Sequence, residues 1–381
     1  MLAVRRCPAG APLVRRGPLA AALLLAFLAR AESASLAVQV LGSGGPRPSP
    51  QASSGTLVMV DGVPRILVDA GPGTLLRAGE RKVDLTAVDA VLLTHLHTDH
   101  TVEVPSFATV RSLDSHGRTR LRIVGPDGNK DFPSTRAWAS ALLGPQGAYR
   151  YVRHFGAELA IEATDVPAGR GAAPKRIALD DGLVVTARGH HHGNAPAVGF
   201  RLEHGGRSLV LVGDVDPSGL AAVETLARDA DLLVISCSAL DPPDSPAALY
   251  EFHSPPSAIG PMAVRARVRA LLCTHLPPAV TARADALRRS LAASFSGPIT
   301  LATDGLVLPV QAAGSAAGQD AGPATGCRTD ADCGSGVSCM LCGETGTCIR
   351  TCETEGCPSG SVCRPVQCVR CPCPPQCVPS H

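Results

Sequence analysis

Aromatic side chains are scarce in this sequence, supplying 3% of its 381 residues with a single tryptophan. A core built on stacked rings is excluded, so leucine, valine and alanine must fill the interior. An apolar share of 45% against 18% charged residues still belongs to a globular chain and not to a disordered one. Dense basic runs are also missing, and with them the electrostatic footprint of a nucleic-acid-binding surface. Outside the first 31 residues and the C-terminal tail, cysteine occurs only at Cys237 and Cys273. Both end or line apolar runs, which makes them packing residues or a disulfide pair, and no serine or cysteine nucleophile pattern accompanies them. No apolar run is long enough for a stable transmembrane helix.

What is present divides the chain. Arg5, Arg6, Arg15 and Arg16 precede the apolar stretch PLAAALLLAFLA, and Ala29-Arg30-Ala31 offers small residues for cleavage. That is the pattern of a secretory signal peptide over 1–31. Its removal takes five arginines and no acid, leaving 30 basic against 33 acidic residues. The expected mature chain is exported (periplasm, cell surface or medium), with no membrane association. Twelve of the fifteen cysteines fall between Cys327 and Cys377. In an exported segment this density predicts a disulfide module over 327–381, available for extracellular binding. A zinc ribbon is the rival, but the cysteine spacings do not repeat as paired CxxC units. Residues 311–326 are Ala/Gly-rich without apolar periodicity, as a linker would be.

Residues 32–310 form the large domain. Short Val/Leu/Ile runs bounded by Gly, Pro or Asp predict strands at 36–42, 55–60, 65–70, 90–94, 121–125, 183–189, 198–203, 208–214, 231–236 and 270–275. Helical patterns lie at 219–229, 256–267 and 279–294. The mixture implies a layered α/β domain.

The chemistry concentrates at THLHTDH, residues 94–100. His95 and His97, two apart on an extended segment leaving a strand, point the same way. Asp99 and His100 open the next element and can face a second ion. Imidazole and carboxylate ligands suit zinc. Further candidates follow other apolar runs: GHHHGNAP at 189–196, Asp214 in VGDVDPS and His275 in LLCTHLPP.

These segments resemble the metallo-β-lactamase-fold hydrolases, in the branch that contains ribonuclease Z and the zinc-dependent alkyl- and arylsulfatases. LGSGGPRP (41–48), LVDAGPGTLLR (67–77), THLHTDH, PAVGFRLEHGGRSLVLVGDVDPS, EFHSPPSAIGPMA (251–263) and LLCTHLPP carry the likeness over nearly all of 38–310. The resemblance implies a four-layer αββα sandwich and two zinc ions, with Mn2+ or Fe2+ also suited to such ligands. It places His95, His97 and one histidine of 190–192 on the first ion. His192 is preferred by its distance from PAVGF, with His191 the alternative. Asp99, His100 and His275 would hold the second ion, and Asp214 would bridge. Asp99 also orients the nucleophile, and His253 assists the leaving group. The implied reaction is hydrolysis of a phosphate or sulfate ester by water activated between two metals.

Ribonuclease Z needs a protruding basic arm for transfer RNA, and residues 126–188 hold only scattered cations. With export, this turns the expectation toward a small anionic ester of the sulfatase kind, with nucleic acid not expected as a partner. A ribonuclease Z-like phosphodiesterase is the first alternative. A metal-loaded but inactive binding protein, displayed through its cysteine-rich tail, is the second. Ser236-Cys237 stands where the branch often carries an acidic residue, a departure expected to alter the surroundings of the ligands and not the ligands.

Overall fold

The computed structural model describes residues 35–169 and 171–312, with strand backbone at 325–327, 338–341, 346–349, 361–364 and 376–379. The expected signal peptide, most of the expected linker and, apart from those strands, the cysteine-rich tail expected to form disulfides lie outside the described residues. Two compact units are present, Met1–Ala313 and Gly314–His381. In the second, Gly346–Ile349 lies between Thr325–Cys327 and Ser338–Leu341, and Ser361–Arg364 pairs with Gln376–Pro379.

The first unit is built on two seven-stranded sheets. One runs β14-β1-β2-β3-β4-β5-β6, where β1 is Leu36–Gly42, β2 Gly55–Val60, β3 Val63–Val68, β4 Ala90–Leu92, β5 Arg118–Pro126, β6 Glu158–Val166 and β14 Val307–Pro309. The other runs β13-β12-β11-β10-β9-β8-β7, from β7 Lys175–Ala178 through β8 Val184–His192, β9 Ala195–His204, β10 Arg207–Val212, β11 Leu232–Ser236 and β12 Leu271–Thr274 to β13 Ile299–Leu301.

Strand alternation explains how they stack. Val38, Val58, Ile66 and Leu92 of the first sheet share one core with Val185, Phe200, Leu211, Val234 and Leu272 of the second. The opposite faces are apolar too. Leu57, Leu67, Val91 and Ile123 pack on Phe107, Ala139 and Leu143 of outer helices. Leu233, Ile235, Leu271 and Cys273 pack on Ile259, Met262, Leu287 and Leu291. Strands covered on both faces become continuous apolar runs, which is how they are written in the sequence. The layers are therefore helix, sheet, sheet, helix, as expected. Cys237 and Cys273 are buried unbridged thiols. No helix among the described residues is long and apolar enough to cross a membrane.

The functional consequence lies at the strand ends. Asp69 follows β3, Thr94 and His95 follow β4, His192 ends β8, Asp214 follows β10 and His275 follows β12. Rigid, doubly covered strands thus aim their loops at one place.

Candidate metal centre

The THLHTDH segment changes conformation midway. His97 is extended (φ −65°, ψ 151°) and caps the short helix Thr98–Thr101, which carries Asp99 and His100 in its single turn. Thr101 Oγ1 donates to the His97 carbonyl at 3.0 Å and closes the turn. The 67–77 loop packs tightly against it: a Cβ on Gly71 would stand 2.0 Å from the Asp99 carbonyl oxygen, so only glycine fits.

Side chains from both sheets converge here. His95 Nε2 stands 2.9 Å from His97 Nδ1, and both group with His192 as a potential ligand set. Asp99, His100 and His275 form another set, with His275 Nε2 3.0 Å and His100 Nε2 3.6 Å from Asp99 Oδ2. Asp214 Oδ2 lies between the two sets. It is 3.9 Å from His95 Nε2, 3.8 Å from His100 Nε2, 3.7 Å from His192 Nε2 and 3.6 Å from His275 Nε2.

The hydrogen bonds behind these rings fix where the protons are. His192 Nδ1–H donates to the Phe252 carbonyl at 2.7 Å, since a carbonyl can only accept. His100 Nδ1–H donates to Asp69 Oδ2 at 2.8 Å. Thr94 Oγ1 gives its proton to Asp69 at 2.8 Å and so accepts from His95 Nδ1 at 3.1 Å. Ser238 Oγ donates to the His275 carbonyl at 2.9 Å and accepts from His275 Nδ1 at 2.6 Å.

In the neutral tautomers so fixed, all four Nε2 atoms present lone pairs to one another and to two carboxylates. His100 Nε2, His192 Nε2 and Asp214 Oδ1 are buried without a hydrogen-bond partner, at about 1–3 kcal/mol each. Burial works against a charge on His100, yet Asp69, Asp214 and Asp99 together raise its pKa to about 9. Burial holds His95 well below the ordinary histidine range. The carboxylates thus favour positive charge at the cluster, while burial resists placing a proton on His95. Divalent cations with imidazole and carboxylate affinity meet both conditions, so the residues fit the metals implied by the sequence.

The histidine triplet is separated by strand alternation. His190 and His192 project from one side of β8 and His191 from the other. His191 Nδ1 pairs with Asp216, whose Oδ2 also accepts from Gly193 N at 2.8 Å and whose Oδ1 accepts from Ser218 N at 2.8 Å. Burial would raise Asp216, but the His191 ring, Gly193 N–H and Ser218 pull it below the usual carboxylate range. His191→Ala is therefore expected to keep full zinc content, while His192→Ala loses about one of two equivalents. Elemental analysis of the dialysed proteins checks this, and the reverse pattern would reassign the ligand.

His253 stands beside the cluster, Nδ1 3.9 Å from Asp214 Oδ1. Ser254 anchors its loop by donating from N (2.8 Å) and Oγ (3.0 Å) to the Val215 carbonyl. Burial pushes His253 down to about 4, leaving a neutral ring near pH 7.

Sequence reasoning missed Asp69, Thr94 and Ser238. Asp69 lies in LVDAGPGTLLR but has only the generic signal of a carboxylate after a strand. Ser236 Oγ contacts Ser238 Oγ at 2.9 Å, so the departure at 236–237 sits in the hydrogen-bond chain behind His275.

A two-sheet sandwich with this constellation at its strand ends defines a metal-dependent hydrolase of the metallo-β-lactamase fold. Residues 64–276 match the family described as "Beta-lactamase superfamily domain", and the chain belongs to that superfamily, in the branch that includes ribonuclease Z. Ribonuclease Z of Mycobacterium bovis (strain BCG / Pasteur 1173P2) is 32% identical over 288 residues, covering 71% of this chain and 96% of that protein. Ribonuclease Z of Mycobacterium tuberculosis (strain ATCC 25618 / H37Rv) is 32% identical over 283 residues, with 71% and 96% covered. In fold the chain is similar to the metallo-beta-lactamase fold protein YhfI from Bacillus subtilis, with TM-score 0.54, 22% identity and coverage of 72% and 99%. Human tRNase Z, short form, gives the same values.

These relatives overturn the expected partner, a small anionic ester in place of nucleic acid, because ribonucleases Z are by name enzymes of RNA. The sulfatase preference finds no support among them. The physical reason is plain: thin basic character bears on how a large substrate is gripped, and the ligand cluster suits any phosphodiester.

Proposed function

We propose that this chain hydrolyses phosphodiester bonds in RNA at a dinuclear metal centre. What supports this is the seven-residue cluster on a chain 32% identical to ribonuclease Z across 96% of that protein's length. His95, His97 and His192 would hold one cation, Asp99, His100 and His275 the other, and Asp214 both. Zinc is the metal that these ligands favour. Bound there, the pair supplies hydroxide at neutral pH and offsets charge developing on the phosphoryl oxygens.

The remaining steps belong to the chain. Asp69, Thr94, Ser238 and the Phe252 carbonyl hold each ring's Nε2 toward the centre. Asp99 presents its carboxylate to the attacking water and fixes its direction. His253, neutral and adjacent to Asp214, offers one N–H to the departing oxygen. Export through the N-terminal signal remains part of the proposal.

The test is a substrate comparison. Zinc-loaded protein is expected to cleave a structured RNA with a 3′ extension and, more slowly, bis-p-nitrophenyl phosphate, leaving p-nitrophenyl sulfate intact. Preference for the sulfate, or zinc occupancy without phosphodiester cleavage, would overturn it.

A further inference from the structure

The described residues of 126–188 form no protruding arm. From the end of β5 they run through a helix at Thr135–Leu143, a short turn, β6 and β7 into β8, and the β6–β7 link covers only 167–174. An RNA must be held by something else close to the centre.

A cavity of about 760 Å³ is lined by two elements that also reach the metal cluster. The first is β8, whose His192 joins the cluster while Arg188 and His190 line the cavity. The second is the loop after β5. Its Phe132 ring lies 5.6 Å from the His97 ring, and Asn129 and Lys130 line the cavity. Small residues of the helix Leu220–Leu226, Ala222 among them, leave the opposite wall open.

The polar groups there are unevenly matched. Lys130 pairs with Asp131 at 3.0 Å, and Asp127 accepts from Ala168 N at 2.9 Å. Arg188 enters no ion pair among the described residues, and its Nε is buried without a hydrogen-bond partner. His190, 7% exposed, likewise has an unpartnered Nε2. A half-buried guanidinium without a carboxylate partner calls for an anion, and its fork matches phosphate. The volume lies within the range of small-ligand sites, large enough for a nucleotide.

We propose that this cavity is a nucleotide subsite, in which Arg188 binds the phosphate of a nucleotide flanking the bond to be cleaved. The proposal rests on the RNA phosphodiesterase reading for its biological ligand, but the cavity can be tested without it. Using the zinc-loaded full chain, adenosine 5′-monophosphate and inorganic phosphate are titrated calorimetrically into wild type, Arg188→Ala, Arg188→Lys and Ala222→Phe.

Wild type is expected to bind the mononucleotide more tightly than phosphate. Arg188→Ala and Ala222→Phe should each weaken nucleotide binding about tenfold, with Arg188→Lys intermediate. With RNA as substrate, Arg188→Ala should raise KM about tenfold, while zinc content and turnover of bis-p-nitrophenyl phosphate stay at wild-type levels. Unchanged nucleotide affinity in both cavity variants overturns the subsite. So does phosphate binding as tight as the nucleotide's, which would leave a simple oxyanion pocket. Should Arg188→Ala lose zinc, Ala222→Phe decides alone. Nucleotide binding that depends on Arg188, without RNA cleavage by wild type, sinks the functional reading and leaves the subsite standing.

Discussion

Asp214→Ala is expected to lower phosphodiesterase turnover by on the order of a thousandfold and to strip zinc from both positions. Asp214 Oδ2 lies within 3.6–3.9 Å of four imidazole nitrogens, so no neighbour can substitute for it. Metal-ion stabilisation of a phosphoryl transition state is worth several kcal/mol, and about 4 kcal/mol corresponds to roughly a thousandfold in rate. Asp214→Asn sharpens the comparison, because the amide keeps the shape but loses the charge that two cations share. It should retain at most one weakly held zinc. Turnover and zinc content are measured together, with circular dichroism to establish folding. A folded Asp214→Ala protein that keeps two zinc ions and wild-type rate would show that the cluster is not the reacting centre.

Asp69→Ala is expected to weaken zinc binding by about 10–100-fold, the range typical of partners that orient metal-bound histidines. Asp69 touches no proposed cation. Its carboxylate accepts Thr94 N and Thr94 Oγ1 at 2.8 Å, and His100 Nδ1 at 2.8 Å. Without it, His100 loses the bond that fixes its tautomer, and Thr94 is freed from the orientation that serves His95. Three buried donors are orphaned, at about 1–3 kcal/mol each. Asp69 also has φ 58°, a left-handed conformation that aspartate and asparagine tolerate better than alanine. Asp69→Asn therefore separates the effects: backbone preference is kept, while the side chain can no longer accept from both partners. Chelator competition should rank affinity as wild type, then Asn, then Ala, and melting temperature should follow. If Asp69→Asn matches wild type in zinc affinity, the ring-orienting role is wrong.

Parts of this were legible in the sequence for identifiable reasons. Doubly covered strands write themselves as unbroken Val/Leu/Ile runs, so ten strands were placed, with boundaries off by a few residues. HxHxDH stands out because several ligands come from one loop. Asp214 and His275 showed as polar endings of apolar runs. The rest lacked local signals. β6 (ELAIEATDV) mixes charges into its pattern because it is half exposed at a sheet edge. β13 and β14 span three residues each. The helix Val104–Asp114 begins on Val-Pro and buries Arg111, whose guanidinium donates to the Thr86 carbonyl at 2.6 Å, so its inward stripe is not purely apolar. Asp69 is defined by a neighbouring strand's Thr94, a contact that sequence spacing does not reveal. The histidine triplet needed only the two-residue period of a strand that runs to His192, beyond the predicted end at 189.

The proposed ligands are divided between the halves of the sandwich: His95, His97, Asp99 and His100 extend from one sheet, His192, Asp214 and His275 from the other. Cations held there would act as a clasp across the domain, so folding and metal supply become linked by mass action. Under zinc starvation such a protein would fail first by proteolysis of its loosened halves, and its abundance would track available metal even where synthesis is constant.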